Sequence, residues 1–272
     1  MRLHADLYGR LGGARPVICL PGLTRNGRDF AHLAGVLSRG TDDAPVIVLE
    51  SRGRGRSGRA CASTYTLPQE LADLVDAMDS WGVDEADFIG TSRGGLLTML
   101  LAATAPQRVR RVVLNDIGPT IEFEGLARIA ADVGRTMTYP SFDDLAAALK
   151  GAHRRHFPAM TARDWRRLAE QLASGNIDGT VTLDYDPALA EMFADFSHDG
   201  GAVDFWPAFG GLLERDLMVV RGAHSDILSA ATVEAMRRRH RRLACFVVAD
   251  EGHAPLLWDR ASTEAIRAFL RA

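Results

Sequence analysis

Ser92 lies in the run Asp87-Phe88-Ile89-Gly90-Thr91-Ser92-Arg93-Gly94-Gly95, where a short apolar stretch meets a small-x-Ser-x-small turn. A helix-like stretch, residues 96–103, follows at once. That context can turn a hydroxyl into a nucleophile. The turn is so tight that the positions two before and two after the serine must be nearly free of side chain, here Gly90 and Gly94. The hydroxyl then stands clear of the backbone at the tip of a sheet. The next helix aims its free N–H groups and positive dipole end at the reacting centre. A Gly-rich βα turn of any doubly wound protein looks similar, so the remaining chemistry must be found elsewhere in the chain.

Acyl transfer from a serine needs a base, an acid that orients the base, and donors for the oxyanion. His253, in Glu251-Gly252-His253-Ala254-Pro255, follows the strand-like run 244–248 and so falls where open α/β sheets place their sites. The donors are backbone N–H groups. One is expected from Arg93, directly after the serine. The other is expected from Leu23, in Leu20-Pro21-Gly22-Leu23-Thr24, because Gly22 lets the backbone curl toward the hydroxyl.

These groups meet only if the chain folds to bring them together. Apolar runs at residues 16–20, 45–49, 86–89 and 109–114 alternate with helical spacing at 30–37 and 71–78. This predicts an α/β fold with a mostly parallel, doubly wound sheet. From residue 119 to 207 the pattern shows amphipathic stretches at 126–133, 145–157 and 164–172 and no convincing strand. Alternation resumes at 217–220, 232–239 and 244–248 and ends in a helix. The expectation is one core domain, residues 1–118 and 208–272, interrupted by a helical lid, residues 119–207.

Composition sets the bounds. The 272 residues, 47% apolar and 25% charged, suffice for one large domain with an insertion. A formal net charge of −3 gives no global field to gather nucleic acid or anionic membrane. The N-terminus lacks a signal-peptide core and no apolar run is long enough to span a bilayer. Three cysteines, Cys19, Cys61 and Cys245, have no metal-ligand spacing and fit a reducing cytoplasm.

With these motifs in place, the chain resembles an α/β-hydrolase of the lidded esterase type, from Val17 to the end and in the order nucleophile, acid, histidine. Glu50-Ser51-Arg52-Gly53-Arg54-Gly55-Arg56-Ser57 resembles that family's acidic-x-Arg-Gly-x-Gly-x-Ser segment. Pro21-Gly22 stands where the family most often has His-Gly, which loses a side chain and keeps the backbone donor. Two aspartates compete for the acid. The family's usual Gly-x-x-Asp register reads Gly222-Ala223-His224-Ser225 here, with Asp226 one residue further on. Asp116, in Asn115-Asp116-Ile117-Gly118-Pro119, matches an Asp-x-x-Pro pattern that similar lidded hydrolases use, and is preferred; the losing residue is expected to be a loop carboxylate, a candidate cap for the helix near Ala230.

The resemblance implies a serine hydrolase that cleaves a carboxylic ester, or a related thioester, lactone or enamide, of a small molecule. The same triad could cleave a carbon–carbon bond beside a ketone, and a non-catalytic small-molecule-binding protein could retain the pocket. No cofactor and no metal are expected; the partner is a small-molecule substrate, with no nucleic acid and no membrane. Oligomeric state and substrate identity are not legible.

Other signals carry less. Gly53-Arg54-Gly55-Arg56-Ser57-Gly58 satisfies G-x-G-x-x-G, but residues 59–65 do not start a helix, as a dinucleotide site requires. The basic run 237–242 ends a helix, where positive charge suits the dipole. His153 and His156 lack a third ligand and are expected to face solvent, as are Arg154, Arg155, Arg163, Arg166 and Arg167. Among the aromatic residues at 139–209, some are expected to line an apolar pocket and most to pack.

Overall fold

Runs such as Val17–Leu20 and Val46–Glu50 are buried along their whole length, which a strand tolerates only in a sheet covered on both faces. The computed structural model describes residues 1–12, 14–39, 44–194 and 203–272. The chain begins with β1 (His4–Tyr8), β2 (Val17–Leu20), α1 (Ala31–Leu37), β3 (Val46–Glu50), α2 (Leu67–Ser80), β4 (Ala86–Thr91), α3 (Arg93–Thr104) and β5 (Val109–Asn115). It continues through β6 (Thr120–Ile121), α4 (Phe123–Asp132), β7 (Thr138–Tyr139), α5 (Phe142–His153), α6 (Ala162–Leu172), β8 (Ala173–Gly175), β9 (Val181–Leu183), β10 (Val203–Asp204) and α7 (Trp206–Phe209). It ends with β11 (Asp216–Gly222), α8 (Ala230–Arg239), β12 (Ala244–Val248) and α9 (Arg260–Arg271).

Seven strands form the main sheet in the order β1-β3-β2-β4-β5-β11-β12, parallel throughout except for β1, which runs antiparallel along β3 at the edge. Alternate residues of each strand feed opposite faces. Ile18, Leu20 and Phe88 join Leu74, Met78, Leu97 and Met236, so α2, α3 and α8 cover one face. Val17, Cys19 and Ile89 join Leu33, Leu37, Ile266 and Leu270, so α1 and α9 cover the other. Among the described residues no helix is long and apolar enough to cross a membrane.

The segment between β5 and β11 contains short strands as well as helices, a correction to the strandless pattern read from the sequence. β7, β9 and β8 make a small antiparallel sheet, and β6 pairs with β10. Strands of two or three residues are too short to register a period of two. α5 and α6 start at side-chain caps, Ser141 and Thr161, the latter in a reciprocal capping box with Asp164. Their apolar residues Leu145, Trp165 and Leu168 join Val181 of β9 in a separate core that reaches Leu256 in the loop after β12. Trp165 meets Phe157 edge-on at 6.3 Å. Gln171 C=O accepts from Asn26 Nδ2 and Arg28 Nε, each at 2.9 Å, and Gly55 N–H donates to Asp184 C=O at 2.7 Å. The segment is thus fastened to loops that follow β2, β3 and β12, at the C-terminal ends of those parallel strands. Of the aromatic residues singled out in it, Phe196 lies outside the described residues. Phe205, Trp206 and Phe209 pack on the main core, while Phe142 and Phe193 pack on smaller clusters.

Candidate active site

β4 delivers Ser92 into a conformation that few residues adopt. Its φ is 51° and ψ −117°, and it stands as the N-cap of α3. Gly90 and Gly94 make this turn possible: a Cβ on Gly90 would overlap the backbone of Gly95, and one on Gly94 would overlap the carbonyl of Leu20. Ser92 N–H donates to Asn115 C=O at 3.0 Å, tying the turn to the end of β5.

Asp116, next along that strand's end, also has positive φ, 53°, and is fully buried. Its Oδ1 accepts from Gly222 N–H at 2.8 Å, and its Oδ2 accepts from Ser225 Oγ at 2.5 Å. The imidazole of His253 completes a series. Its Nδ1 is 2.9 Å from Asp116 Oδ2, and its Nε2 is 2.9 Å from Ser92 Oγ. A carboxylate at Nδ1 accepts a hydrogen bond from that nitrogen's N–H and so leaves the Nε2 lone pair facing the serine hydroxyl. An alcohol, an imidazole and a carboxylate in this order can pass a proton away from the alcohol as it attacks an electrophile.

Asp226 lies apart from the series. Arg128 holds it in a two-pronged ion pair, Nε to Oδ2 at 2.6 Å and Nη2 to Oδ1 at 2.8 Å. Burial pushes this carboxyl up, but the Arg128 guanidinium outweighs it and keeps the group below the usual range. Nor does Asp226 cap α8, a correction to the expectation for that carboxylate: Ser229 does, accepting from Thr232 N–H at 3.1 Å.

Leu23 and Ser92 line one cavity of about 370 Å³ with His253. A side chain on Gly22 would stand 3.7 Å from Ser92 Cβ, so this loop runs close beside the hydroxyl. The Leu23 N–H lies in a loop and has no hydrogen-bond partner among the described residues. The Arg93 N–H opens α3 and has no residue behind it to bond within the helix. Elsewhere the cavity wall combines apolar side chains, among them Ile129, Val133, Leu149 and Phe157, with charged ones, Arg25, Arg128, Asp132 and Arg135.

His153 departs from the solvent-facing position expected of it. It lines the cavity, and burial followed by the charge of Arg128 pushes its pKa down to about 4. Its place in the last turn of α5 gave no sign that α4 and the loop after β2 would enclose it. His156 instead sets Nδ1 3.2 Å from His224 C=O. Among the described residues no group of three His, Cys, Asp or Glu side chains could hold a metal ion. Arg166 pairs with Asp143 and Glu170 on the surface, and Arg167 lies 4.0 Å over the Trp258 ring. Of the basic run, Arg237 pairs with Glu234, and Arg239 stacks 3.8 Å over Trp206.

Of the buried charges behind the site, Glu50 stands at the acidic position of the segment read from the sequence, whereas Glu70 carried no signal beyond its residue type. Glu50 accepts from Gly27 N–H at 2.8 Å and Arg56 N–H at 2.6 Å, so the Gly53–Gly58 turn wraps a carboxylate. Glu70, on α2, bonds both Arg54 and Arg93. Glu70 resembles any polar residue of an amphipathic helix until the two arginines pair with it.

A family model for the alpha/beta hydrolase fold matches residues 15–260. A 3-hydroxybutyrate-oligomer hydrolase of Cupriavidus necator is 34% identical over 270 residues, covering 95% of this chain and 90% of that relative. The crystal structure of an alpha/beta hydrolase from Novosphingobium aromaticivorans superposes with a TM-score of 0.91 at 40% identity, covering 99% of this chain and 94% of that one. An E-2-(acetamidomethylene)succinate hydrolase superposes with a TM-score of 0.81 at 25% identity, covering 99% and 95%.

Proposed function

Because the chain belongs to the alpha/beta hydrolase fold family, we propose that it hydrolyses a carboxylic ester of a small molecule through an acyl-enzyme on Ser92. The observation that carries this reading is the hydrogen-bonded series Ser92 Oγ, His253 and Asp116, with both links 2.9 Å, opening into one cavity.

His253 Nε2 takes the proton of Ser92 as Oγ attacks the ester carbonyl carbon. The carbonyl electrons move to oxygen, and the N–H groups of Leu23 and Arg93 hold the oxyanion. Asp116 stays ionised and stabilises the imidazolium it orients. The tetrahedral intermediate collapses, His253 gives its proton to the departing alkoxide, and the acyl group remains on Ser92. Water then enters, loses a proton to His253 and attacks the same carbonyl. Collapse returns the proton to Ser92 and releases the acid.

Residues 119–207 serve as a lid over this chemistry, with α4, α5, β7 and β9 contributing to the cavity wall. The apolar part of the wall suits an alkyl chain, and the charged residues Arg25, Arg128 and Arg135 suit a polar group on the same small molecule. The Cupriavidus relative, by its name, acts on 3-hydroxybutyrate oligomers. Short esters of hydroxy acids are therefore the first substrates to test.

The test is steady-state hydrolysis of p-nitrophenyl esters of increasing acyl length and of the 3-hydroxybutyrate dimer, by the wild-type chain and by Ser92→Ala. The reading expects saturable turnover that Ser92→Ala lowers on the order of a millionfold, by analogy with a serine protease. Ester turnover that survives the substitution overturns it.

A further inference from the structure

The two expected oxyanion donors are joined through a single buried carboxylate. Glu70, 3% exposed on α2, accepts at Oε2 from Arg93 Nε at 2.8 Å and at Oε1 from Arg54 Nη1 at 2.7 Å. The Arg54 guanidinium, in turn, donates through Nε to Leu23 C=O at 2.7 Å. One arm of Glu70 therefore ends on the residue that opens α3, and the other ends, through Arg54, on Leu23 in the loop after β2. Resting on the reading of Ser92 as nucleophile, we infer that Glu70 and Arg54 are positioning residues that fix the separation and aim of the Leu23 and Arg93 N–H groups.

The surroundings suit that role. Arg54 is 1% exposed and also donates to Arg52 C=O at 2.6 Å. Two guanidiniums face one carboxylate, so both arginine side chains are held in fixed positions by the same group. Such a cluster is a poor choice for stability alone, because apolar side chains of similar volume often hold a core as well as a buried ion pair does. What a carboxylate with two fixed partners adds is direction, and a donor misplaced by about 1 Å can cost on the order of a hundredfold in rate. The backbone of Arg54 also bridges to Tyr185, a residue of the cavity wall, and Asp186 N–H donates to Gly53 C=O at 2.7 Å. The same turn thus ties the wall of the substrate cavity to the donors.

The test compares wild type with Glu70→Gln and with Arg93→Leu, which keeps its backbone N–H and leaves Glu70 paired to Arg54. Hydrolysis of p-nitrophenyl butyrate gives kcat and KM per active site. Inhibition by an alkyl trifluoromethyl ketone, which forms an oxyanion on the serine, reports the donors directly. The inference expects kcat and ketone affinity to fall together by about 10- to 100-fold, with KM within about threefold of wild type. If Glu70→Gln does not fold, Arg93→Leu carries the comparison. Folded variants with unchanged ketone affinity overturn the inference while leaving the hydrolase reading intact. A wild-type chain inert to ester and ketone overturns both.

Discussion

Ser225 donates its hydroxyl hydrogen to Asp116 across 2.5 Å, joining the loop after β11 to the carboxylate at the end of β5. Ser225 occupies the position where the resemblance led one to look for an acid. Its Oγ also accepts from Ile227 N–H at 3.2 Å and Leu228 N–H at 3.0 Å, so the hydroxyl is held by its own turn while it holds Asp116. A carboxylate that receives Ser225, Gly222 N–H and His253 has little freedom to rotate, and neither does the imidazole.

The two aspartates should therefore respond differently to the loss of charge. Asp116→Asn offers an amide to Nδ1 and disrupts the tautomer that leaves Nε2 free, so kcat should fall on the order of ten-thousandfold by analogy with triads elsewhere. Asp226→Asn loosens only the Arg128 pair and should leave kcat within about tenfold. Ester turnover by both variants decides it; a larger loss at Asp226 would contradict the assignment.

Ser225→Ala should act through Asp116 without touching substrate. It removes one charge-assisted hydrogen bond, typically about 1.5–3 kcal/mol. The expected outcome is a kcat lower by about 10- to 100-fold with KM little changed, and a lower Tm. Turnover equal to wild type would show that Gly222 N–H alone suffices to hold the carboxylate.

Glu251, two residues before His253, gives the chain a pH dependence of its own. Burial pushes its carboxyl up to about 7, with Asp259 and Asp250 adding to the rise and the bond from Leu256 N–H opposing it. A carboxyl raised in the folded state contributes stability that is full below its unfolded pKa and is lost as pH rises through about 7. Glu251→Gln keeps an acceptor for Leu256 N–H, 2.7 Å away, and removes the titration. The variant should gain about 2 kcal/mol over wild type between pH 5 and pH 8, allowing for partial solvent screening. Denaturant melts at the two pH values check it, and parallel curves would contradict it.

His153 should titrate the other way. Burial and the Arg128 charge push its pKa down to about 4, so its contribution is full above the unfolded value and is lost as pH falls through about 4. Its ring resonances should remain those of neutral imidazole from pH 7 to pH 5. A midpoint near the unperturbed 6.5 would place the ring in solvent instead.

The main sheet was legible because β2, β3, β4, β5, β11 and β12 are each built around a cluster of apolar residues, and Gly90 and Gly94 mark a strand-to-helix turn with no room for a side chain. β1 was not singled out: His4–Tyr8 is half-exposed at the edge and lacks such a run. The charges were the hardest to read. Arg128 and Asp226 are 98 residues apart, and Arg54, Glu70 and Arg93 meet only in three dimensions. In one dimension each could equally face water.

The central claim is that the Ser92 hydroxyl is the nucleophile and His253 its base. Intact-mass and peptide mapping after brief exposure to a fluorophosphonate test it most directly. The account predicts one covalent adduct on Ser92 of the folded wild-type chain, none on Ser92→Ala, and labelling of His253→Ala slower by at least a thousandfold. An adduct on another residue, or a His253→Ala chain labelled at the wild-type rate, would contradict it.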